Sequence, residues 1–423
     1  MADRADGGSD SRGDGHVGGV AHRGRRGCWI AAAVLVAPGA CVSSAAPPSD
    51  QSPGSEEYLY VWTTDSDSVD LNFMVVLDAD PDSEGYGQVV STLAVPTEGV
   101  TRGHHTEHTM PSGNVPLFAN DFGTGETYLI DLSDPAAPAL ATSFTEAGPL
   151  AAPHSFERLE NLDVLATFQT EGKANHAAGG IARLSAEGEM LAWGSAAAGG
   201  TDVRPYSLAP VPDLDRVVTG SADMRGEVDR RVIQIWRMSD LQLLHTLELP
   251  PEWGRAAEPR LLSDGETVLV STFSCALLRV EGLISDAPSV SRVWDFGGSS
   301  CALPIVAGDF WIQAVPEVNG LVTLDVSDPA NPVEVARLSL GDDDWPHWIS
   351  PSPDERRVVV TGYAGTRHRV LIVDFDPETG ALGLDSAFTS AGTDRPGVSF
   401  VRDAWPHGAS GPGDPHGAVF SRD

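Results

Sequence analysis

A strand-turn-strand unit recurs through most of this sequence and limits the folds open to it. The segments YLIDLSDPAAPALATSF from Tyr128 and LVTLDVSDPANPVEVARLSL from Leu321 are near-copies, each with two apolar stretches joined at an Asp-Pro turn. Looser copies make seven units in all, anchored on Asp78, Asp131, Arg183, Arg237, Val280, Asp325 and Asp374. Units of about 40 to 50 residues with four short strands each are typical of a β-propeller.

Seven units predict seven blades. Short runs of Val, Leu, Ile and Thr, broken by Gly, Pro, Asp and Asn, indicate strands, and no helical period is sustained. A blade cannot bury both of its faces alone, so the blades must stack around one axis. We therefore predict an all-β fold, a seven-bladed β-propeller in a single domain over residues 58–423. Two β-sandwiches are the alternative, but they do not account for the unbroken repeat.

The N-terminal residues have a different composition. Three arginines precede the apolar run CWIAAAVLVAPGAC, which ends at Cys41 and is too short for a permanent membrane helix. We expect residues 1–41 to be an export signal and residues 42–57 to be a flexible linker. Small residues before Cys41 indicate a lipid anchor there, with simple secretion as the alternative because of Pro38. The predicted location is periplasmic or at the cell surface, with no integral membrane span in the mature chain.

The net charge limits which kinds of partner this protein can bind, and the cysteine content bears on the compartment in which it works. The formal net charge is -33 at pH 7, and so negative a field repels nucleic acid and anionic membrane surfaces. After export, Cys275 and Cys301 would remain in the folded part, where an oxidising compartment permits them to pair. A disulfide, a soft metal ligand or reactive thiol, and a pair of inert buried thiols all remain open.

A second series of short polar segments precedes the apolar strand that opens each unit. Aligned with one another, these segments lead with His105, His154, Arg204, Glu258, Cys301, His347 and His407. In a propeller such positions begin the innermost strand of each blade, so these side chains should ring one mouth of the central channel. Pro-His pairs occur at His154, His347, His407 and His416.

The histidines of this ring are candidate metal ligands. The prediction is a site that uses at least three of His105, His154, His347, His407 and His416, with His104 as a further candidate. The alternative is that the imidazoles satisfy backbone groups by hydrogen bonding. Neutral imidazole suits copper, zinc, iron or nickel, and an exported, air-exposed protein favours copper.

The remaining ring positions are candidate catalytic residues. Arg204 would contact an anion or leaving group and Glu258 would transfer protons, with an ion pair between these two as the alternative. Cys301 would be a thiol near the metal. His108 is expected at the surface or beside the ligands, and Glu107 in solvent. The aromatic residue Trp348 and its neighbours are expected to serve packing, like most buried aromatic side chains.

Several segments together resemble a known family. They are HHTEHTMP, LFANDFGTGETYLIDLSDPAAP, PHSFERL, RPYSLAPVPDLDRVVT and DAWPHGASGPGDPHGAVF. These segments look like the bacterial branch of the selenium-binding protein family, which includes methanethiol oxidases. The resemblance implies a seven-bladed propeller and a copper-dependent oxidation of methanethiol by O2 and water to formaldehyde, hydrogen sulfide and hydrogen peroxide. It also implies metal-associated roles for His105, His154, His347 and His407, and for His104 and His416.

One stretch departs from the family pattern. Vertebrate members carry a selenium-associated cysteine in a Tyr-Cys-Gln stretch, whereas this chain has Tyr86, Gly87 and Gln88, which excludes selenium binding through that residue. The leading hypothesis is therefore an exported copper oxidase that takes a small thiol and O2. A non-catalytic cell-surface propeller that binds copper or a partner protein at its channel mouth is the alternative. A metal-dependent hydrolase or lyase is a third.

Overall fold

Seven antiparallel sheets make up the described part of the protein. The computed structural model describes residues 57–96, 102–172, 178–197, 202–226, 228–342, 344–362 and 368–422. The predicted export signal, residues 1–41, lies outside these ranges, as does the predicted linker apart from Glu57. The innermost strands contact one another in sequence and close a ring. The prediction of an all-β, seven-bladed propeller is thus confirmed.

The strands are distributed evenly over the blades. The chain opens with β1 (Tyr58–Asp65), β2 (Phe73–Asp78) and β3 (Val89–Ala94), which belong to blade 7. Blade 1 contains β4 (Gly103–Thr106), β5 (Leu117–Asp121), β6 (Glu126–Asp131) and β7 (Ala139–Phe144). Blade 2 contains β8 (Glu146–Ala147), β9 (Leu150–Arg158), β10 (Val164–Glu171), β11 (Gly180–Leu184) and β12 (Met190–Ser195). Blade 3 contains β13 (Pro205–Val211), β14 (Arg216–Ser221), β15 (Val232–Arg237) and β16 (Leu243–Glu248).

The later blades follow the same plan. Blade 4 contains β17 (Ala256–Leu261), β18 (Val268–Thr272), β19 (Ala276–Glu281) and β20 (Ser289–Asp295). Blade 5 contains β21 (Pro304–Ala307), β22 (Phe310–Val315), β23 (Gly320–Asp325) and β24 (Val333–Ser339). Blade 6 contains β25 (Pro346–Pro351), β26 (Arg357–Gly362), β27 (Arg369–Phe375), β28 (Leu382–Leu384) and β29 (Val398–Ser399). Blade 7 is completed by β30 (Val401–Arg402) and β31 (Gly411–Phe420).

Helical structure is confined to short turns in the described ranges. Three 3-10 turns occur there, at Pro212–Leu214, Pro251–Trp253 and Pro316–Val318. A bilayer-spanning helix, long and apolar enough for the task, is not found in this part of the chain.

Blade 7 closes the ring because it combines strands from both ends of the described chain. The C-terminal strand β31 is the innermost strand and pairs with β1, which pairs in turn with β2. Two hydrogen bonds extend this pairing, since the Ser421 N–H donates to the Tyr58 carbonyl at 2.7 Å and the Tyr58 N–H donates to Ser421 Oγ at 2.9 Å. Closure leaves no free inner edge.

The core lies between blades rather than within one of them. Side chains alternate along β1, so Leu59 and Val61 pack with Ile372 of blade 6, whereas Tyr60 and Trp62 join a cluster with blade 1. Period-two alternation thus lets one strand contribute to two interfaces. This arrangement explains why β1 is buried along its whole length.

Candidate metal centre

Each histidine of the centre lies at a break in the pairing of an inner strand. The pairing of β4 with β5 shifts at His104 and His105, and that of β9 with β10 shifts at His154. The same irregularity occurs in β25 at His347 and in β31 at His416. A bulge bends a strand and re-aims its side chains. Bulges at one level of four blades therefore bring these five imidazoles together.

His104, His105 and His416 form the middle of the cluster. One ring nitrogen of each lies within 4.8 Å of the other two. The rings of His104 and His105 stack with centroids 4.0 Å apart, and those of His104 and His416 are 4.3 Å apart. The His154 ring lies 4.5 Å from that of His105, and the His347 ring lies 4.7 Å from that of His416.

Polar side chains of second strands hold the histidine-bearing strands in place. Asn120, on β5, accepts the His105 N–H at its Oδ1 over 2.8 Å. Its Nδ2 donates across to the next blade, to the carbonyls of Pro153 at 2.9 Å and His154 at 3.0 Å. Asn120 thus satisfies the backbone that the bulges release and couples blade 1 to blade 2. Thr361 plays a similar part for blade 7, donating to the His416 carbonyl at 2.7 Å.

One serine contacts two of the imidazoles. Ser155 Oγ lies 3.1 Å from His105 Nδ1 and 3.1 Å from His154 Nδ1. A hydroxyl oxygen can accept two hydrogen bonds, and accepting both would place the protons on Nδ1 and the lone pairs on Nε2 of each ring. Nε2 of His105 and Nε2 of His154 are buried and have no hydrogen-bond partner among the described residues. Both atoms are therefore suited to bind a metal ion.

His416 has its tautomer set by the backbone. Its Nδ1 bonds the carbonyl oxygen of His104, and because a carbonyl only accepts, Nδ1 must carry the proton. The lone pair of His416 is therefore on Nε2, the same atom that double acceptance by Ser155 would leave free in His105 and His154.

Burial keeps the cluster neutral. Removal from water, together with neighbouring imidazoles, lowers the pKa of His104, His105 and His416 well below the usual value. Burial lowers the pKa of His154 to about 3. It lowers the pKa of His347 to about 4, with the Arg102 charge adding to the effect. Neutral imidazole is the form that binds metals, so the environment favours ligation over protonation.

His407 lies apart from this cluster. Its Nδ1 is 2.8 Å from Thr92 Oγ1, on the outer strand β3, and its ring packs on Phe73 at 4.8 Å. The inner-strand histidine of blade 7 is His416, not His407 as the alignment of segments had it. His407 precedes β31, so it never enters the channel. His104, the weaker candidate in the sequence, lies in the middle of the cluster.

The other three ring candidates have structural partners. Glu258 Oε2 pairs with Arg260 Nη1 at 2.8 Å, and Arg204 Nη1 donates to the Gln169 carbonyl at 2.9 Å. The alternative of an Arg204–Glu258 ion pair is therefore wrong, and the Glu258 carboxylate is engaged by Arg260 of its own strand. Cys301 forms a disulfide with Cys275. This resolves the cysteine alternatives and corrects the assignment of Cys301 as a reactive thiol, since a disulfide sulfur offers no thiolate.

Glu107 is buried rather than solvated, and His108 is half-buried and packs on a neighbour of the clustered histidines. The Nε2 of His108 accepts from Arg260 Nη2 at 2.9 Å, and its ring stacks on Trp348 at 4.2 Å. Glu107 is buried and pairs with Arg158 through both carboxylate oxygens, at 2.6 and 2.7 Å. Both residues therefore stabilise the far end of the inner strands.

Several contacts of the site were not predicted from the sequence. Ser155 and Asn120 are single polar residues in strands, and only the register of neighbouring blades shows what they contact. The ring of Tyr206 lies 3.9 Å from that of His154, and the ring of Trp348 lies 5.0 Å from that of His105. The segments PHSFERL and PHWISP do place Ser155 and Trp348 directly after a Pro-His pair, which could have identified them.

The donor set fits a transition metal. Five imidazoles without a carboxylate or thiolate partner in the cluster suit copper, zinc, iron or nickel rather than calcium or magnesium. The unpartnered Nε2 atoms of His105 and His154 support this assignment, because a buried polar atom without a partner is costly unless it binds something.

Comparisons with known proteins agree with the fold and with the resemblance of the segments. A model of the LVIVD repeat matches residues 306–339, within blade 5. Over 143 residues the chain is 31% identical to the methanethiol oxidase of Hyphomicrobium sp. That match covers 33% of this chain and 32% of the enzyme, so the chain spans about a third of the length of the curated relative.

Solved structures share the propeller at low sequence identity. A hypothetical selenium-binding protein from Sulfolobus tokodaii has a TM-score of 0.70 at 16% identity, covering 86% of this chain and 94% of that one. The periplasmic gluconolactonase of Pseudomonas aeruginosa has a TM-score of 0.59 at 14% identity, covering 87% and 99%. At these identities the likeness shows the fold alone.

Fold and site together define a seven-bladed β-propeller with a buried histidine cluster in its channel. Within that class, the sequence likeness of a third of the chain to a methanethiol oxidase agrees with the resemblance to the family of selenium-binding proteins and methanethiol oxidases.

Proposed function

We propose that this protein is an exported, copper-dependent oxidase of a small thiol. The reaction would convert methanethiol, O2 and water to formaldehyde, hydrogen sulfide and hydrogen peroxide. The observation that carries the proposal is the convergence of neutral histidine side chains in the channel, three of them with ring nitrogens within 4.8 Å of one another. The substrate class is supported by the Hyphomicrobium relative, a methanethiol oxidase.

His104, His105 and His416 would hold the ion, with His154 and His347 beside them. When bound, copper would supply the redox chemistry between thiol and O2. The chain's own contribution is to keep the imidazoles neutral by burial and to orient His105 and His154 through Ser155. Glu258 is a poor choice for moving protons because Arg260 holds it.

Metal content tests the site. Purified protein should hold about one copper per chain, and His105→Ala combined with His416→Ala should abolish binding, because both rings belong to the central three. His407→Ala is the matched control, since this histidine lies outside the cluster and should leave copper content unchanged. Full copper retention in the double variant would overturn the site assignment.

Turnover tests the reaction. Copper-loaded protein should consume O2 with methanethiol and release sulfide and peroxide. Copper binding without turnover would favour the non-catalytic platform instead, and turnover without O2 would favour a hydrolase or lyase.

Export is part of the proposal. The Cys275–Cys301 disulfide supports it, because disulfides persist mainly outside the reducing cytosol. The N-terminus of the protein recovered from the producing cell should start at Cys41 and carry a lipid. An unmodified N-terminus beyond Cys41 would indicate secretion without an anchor.

A further inference from the structure

The histidine cluster needs a route for any molecule that reacts there. His104 and His105 are 1% exposed, and His154 and His416 are 0% exposed. A small molecule must therefore leave bulk solvent and enter the interior of the propeller to reach them. The described residues offer one such approach at the opposite end of the inner strands.

A cavity of about 310 Å³ lies where the inner strands end, and we call it the strand-end cavity. Blades 1 to 6 all contribute to its wall, which places it on the axis of the propeller. It is lined by His108, Thr109, Glu157, Leu208, Ala209, Pro210, Pro212, Pro259, Arg260, Leu261, Ile305, Val306 and Pro351. Its volume is at the small end of the range for ligand sites.

One aromatic contact connects this cavity with the cluster. His108 lines the cavity, and its ring stacks on Trp348 at 4.2 Å and 3°. The Trp348 ring in turn lies 5.0 Å from the His105 ring and 6.1 Å from the His416 ring. A molecule in the cavity would therefore contact His108, and His108 contacts Trp348, which packs on the metal candidates.

The wall chemistry selects the kind of molecule. Most of the lining is apolar, from Leu208 round to Pro351. The cavity's cation, Arg260, is already held by Glu258 at 2.8 Å and by His108 at 2.9 Å, so an anion gains little there. The Glu157 carboxyl makes no hydrogen bond or ion pair within the described residues. An otherwise apolar wall with the Glu157 carboxyl and the Thr109 hydroxyl as its acceptors suits a small, uncharged molecule with a donor group.

We propose that the strand-end cavity binds a small neutral alkyl thiol before it reaches the histidine cluster. The substrate class rests on the proposed function, whereas the cavity and its preference for an uncharged ligand do not. A cysteine thiol ionises with a pKa of about 8.5, and a simple alkyl thiol is less acidic because it lacks the electron-withdrawing peptide groups, so it arrives at neutral pH in the uncharged form that this wall accepts. The S–H group would donate weakly to Glu157.

Filling the cavity tests the proposal directly. Val306 and Leu261 are half-buried lining residues, so Val306→Trp and Leu261→Trp, made singly, would occupy the space. Val335→Trp on the outer strand β24 is the matched control, because Val335 is exposed. The probe is 3,3,3-trifluoropropane-1-thiol, which stays uncharged at neutral pH, titrated into the metal-free full chain and followed by fluorine NMR, with near-ultraviolet circular dichroism to verify folding.

The expected result is saturable binding to wild type and to Val335→Trp, weakened at least about tenfold in both filled variants. In the copper-loaded forms kcat/KM for methanethiol should fall by a similar factor while copper content stays at the wild-type level. Equal probe binding in filled and wild-type protein, or no binding to wild type, overturns the proposal. If the probe binds in this pattern but copper-loaded protein oxidises no thiol, the proposed function fails and the cavity assignment stands.

Discussion

At the scale of single residues, the protonation of five imidazoles decides what the channel can bind. Ser155 contacts two of them at Nδ1, and the His104 carbonyl sets a third, His416. The carbonyl fixes the lone pair of His416 on Nε2, and acceptance of both hydrogen bonds by Ser155 would place those of His105 and His154 on Nε2 as well. The hydroxyl of Ser155 is the part of this arrangement that mutation can remove without touching a ligand.

Ser155→Ala should weaken copper binding about 10- to 100-fold, the usual effect of removing a partner that orients a metal ligand. Both Nδ1 atoms would lose their hydroxyl partner, so the rings could rotate or change tautomer. Competition with a chelator measures the affinity, and the electron paramagnetic resonance spectrum of Cu(II) reports the ligand geometry. Ser155→Thr keeps the hydroxyl and should restore both. An unchanged spectrum and affinity in Ser155→Ala would remove Ser155 from the site.

The neutral state of His154 should appear in the pH dependence of stability. Burial lowers its pKa to about 3, whereas an unfolded histidine has a pKa of about 6.5. Below pH 6.5 the unfolded chain therefore binds the proton more readily, and the free energy of unfolding falls, by about 2 kcal/mol at pH 5 for this one group. Urea unfolding of metal-free protein at pH 7.5 and 5 should show a smaller loss in His154→Gln. Equal losses would contradict the assignment.

At the scale of elements, the repeat predicted the fold but only part of the site. Equivalent blades put His105, His154 and His347 on inner strands, because the period of the repeat carries that information. Blade 7 has two Pro-His pairs before and within its last strand, at His407 and His416. Only the pairing of β31 with β1 tells them apart. Bulges also depend on the register between paired strands. The pattern of residues along a single strand does not specify that register.

Coupling between elements should be measurable at Asn120. Its side chain satisfies three backbone groups of β4 and β9 and is fully buried. Asn120→Ala should therefore lower the free energy of unfolding by about 2 to 4 kcal/mol, because each buried group left unpaired costs about 1 to 3 kcal/mol. Asn161→Ala in an exposed turn is the control, as its side chain bonds Asp163 alone among the described residues. A loss no larger than in this control would show that the blades are coupled elsewhere.

At the scale of the whole molecule, the ring depends on two kinds of closure. Strand β31 joins the chain ends in blade 7, and the Cys275–Cys301 disulfide connects blade 4 to the start of blade 5 across 26 residues. The pairing of β31 with β1 also places His416 in the cluster, so a change that disrupts this pairing would affect both the fold and the metal site. The disulfide involves none of the five clustered histidines, so its removal should change stability without changing metal binding.

Cys275→Ser together with Cys301→Ser should lower the free energy of unfolding by about 3 to 4 kcal/mol, from the entropy that a loop of this length restricts in the unfolded chain. Copper content and kcat for methanethiol should remain those of wild type, because the disulfide sulfurs are not ligands in the cluster. Guanidinium unfolding, metal analysis and oxygen uptake measure the three quantities on one preparation. If the double variant keeps wild-type stability but loses copper or turnover, Cys301 takes part in the chemistry.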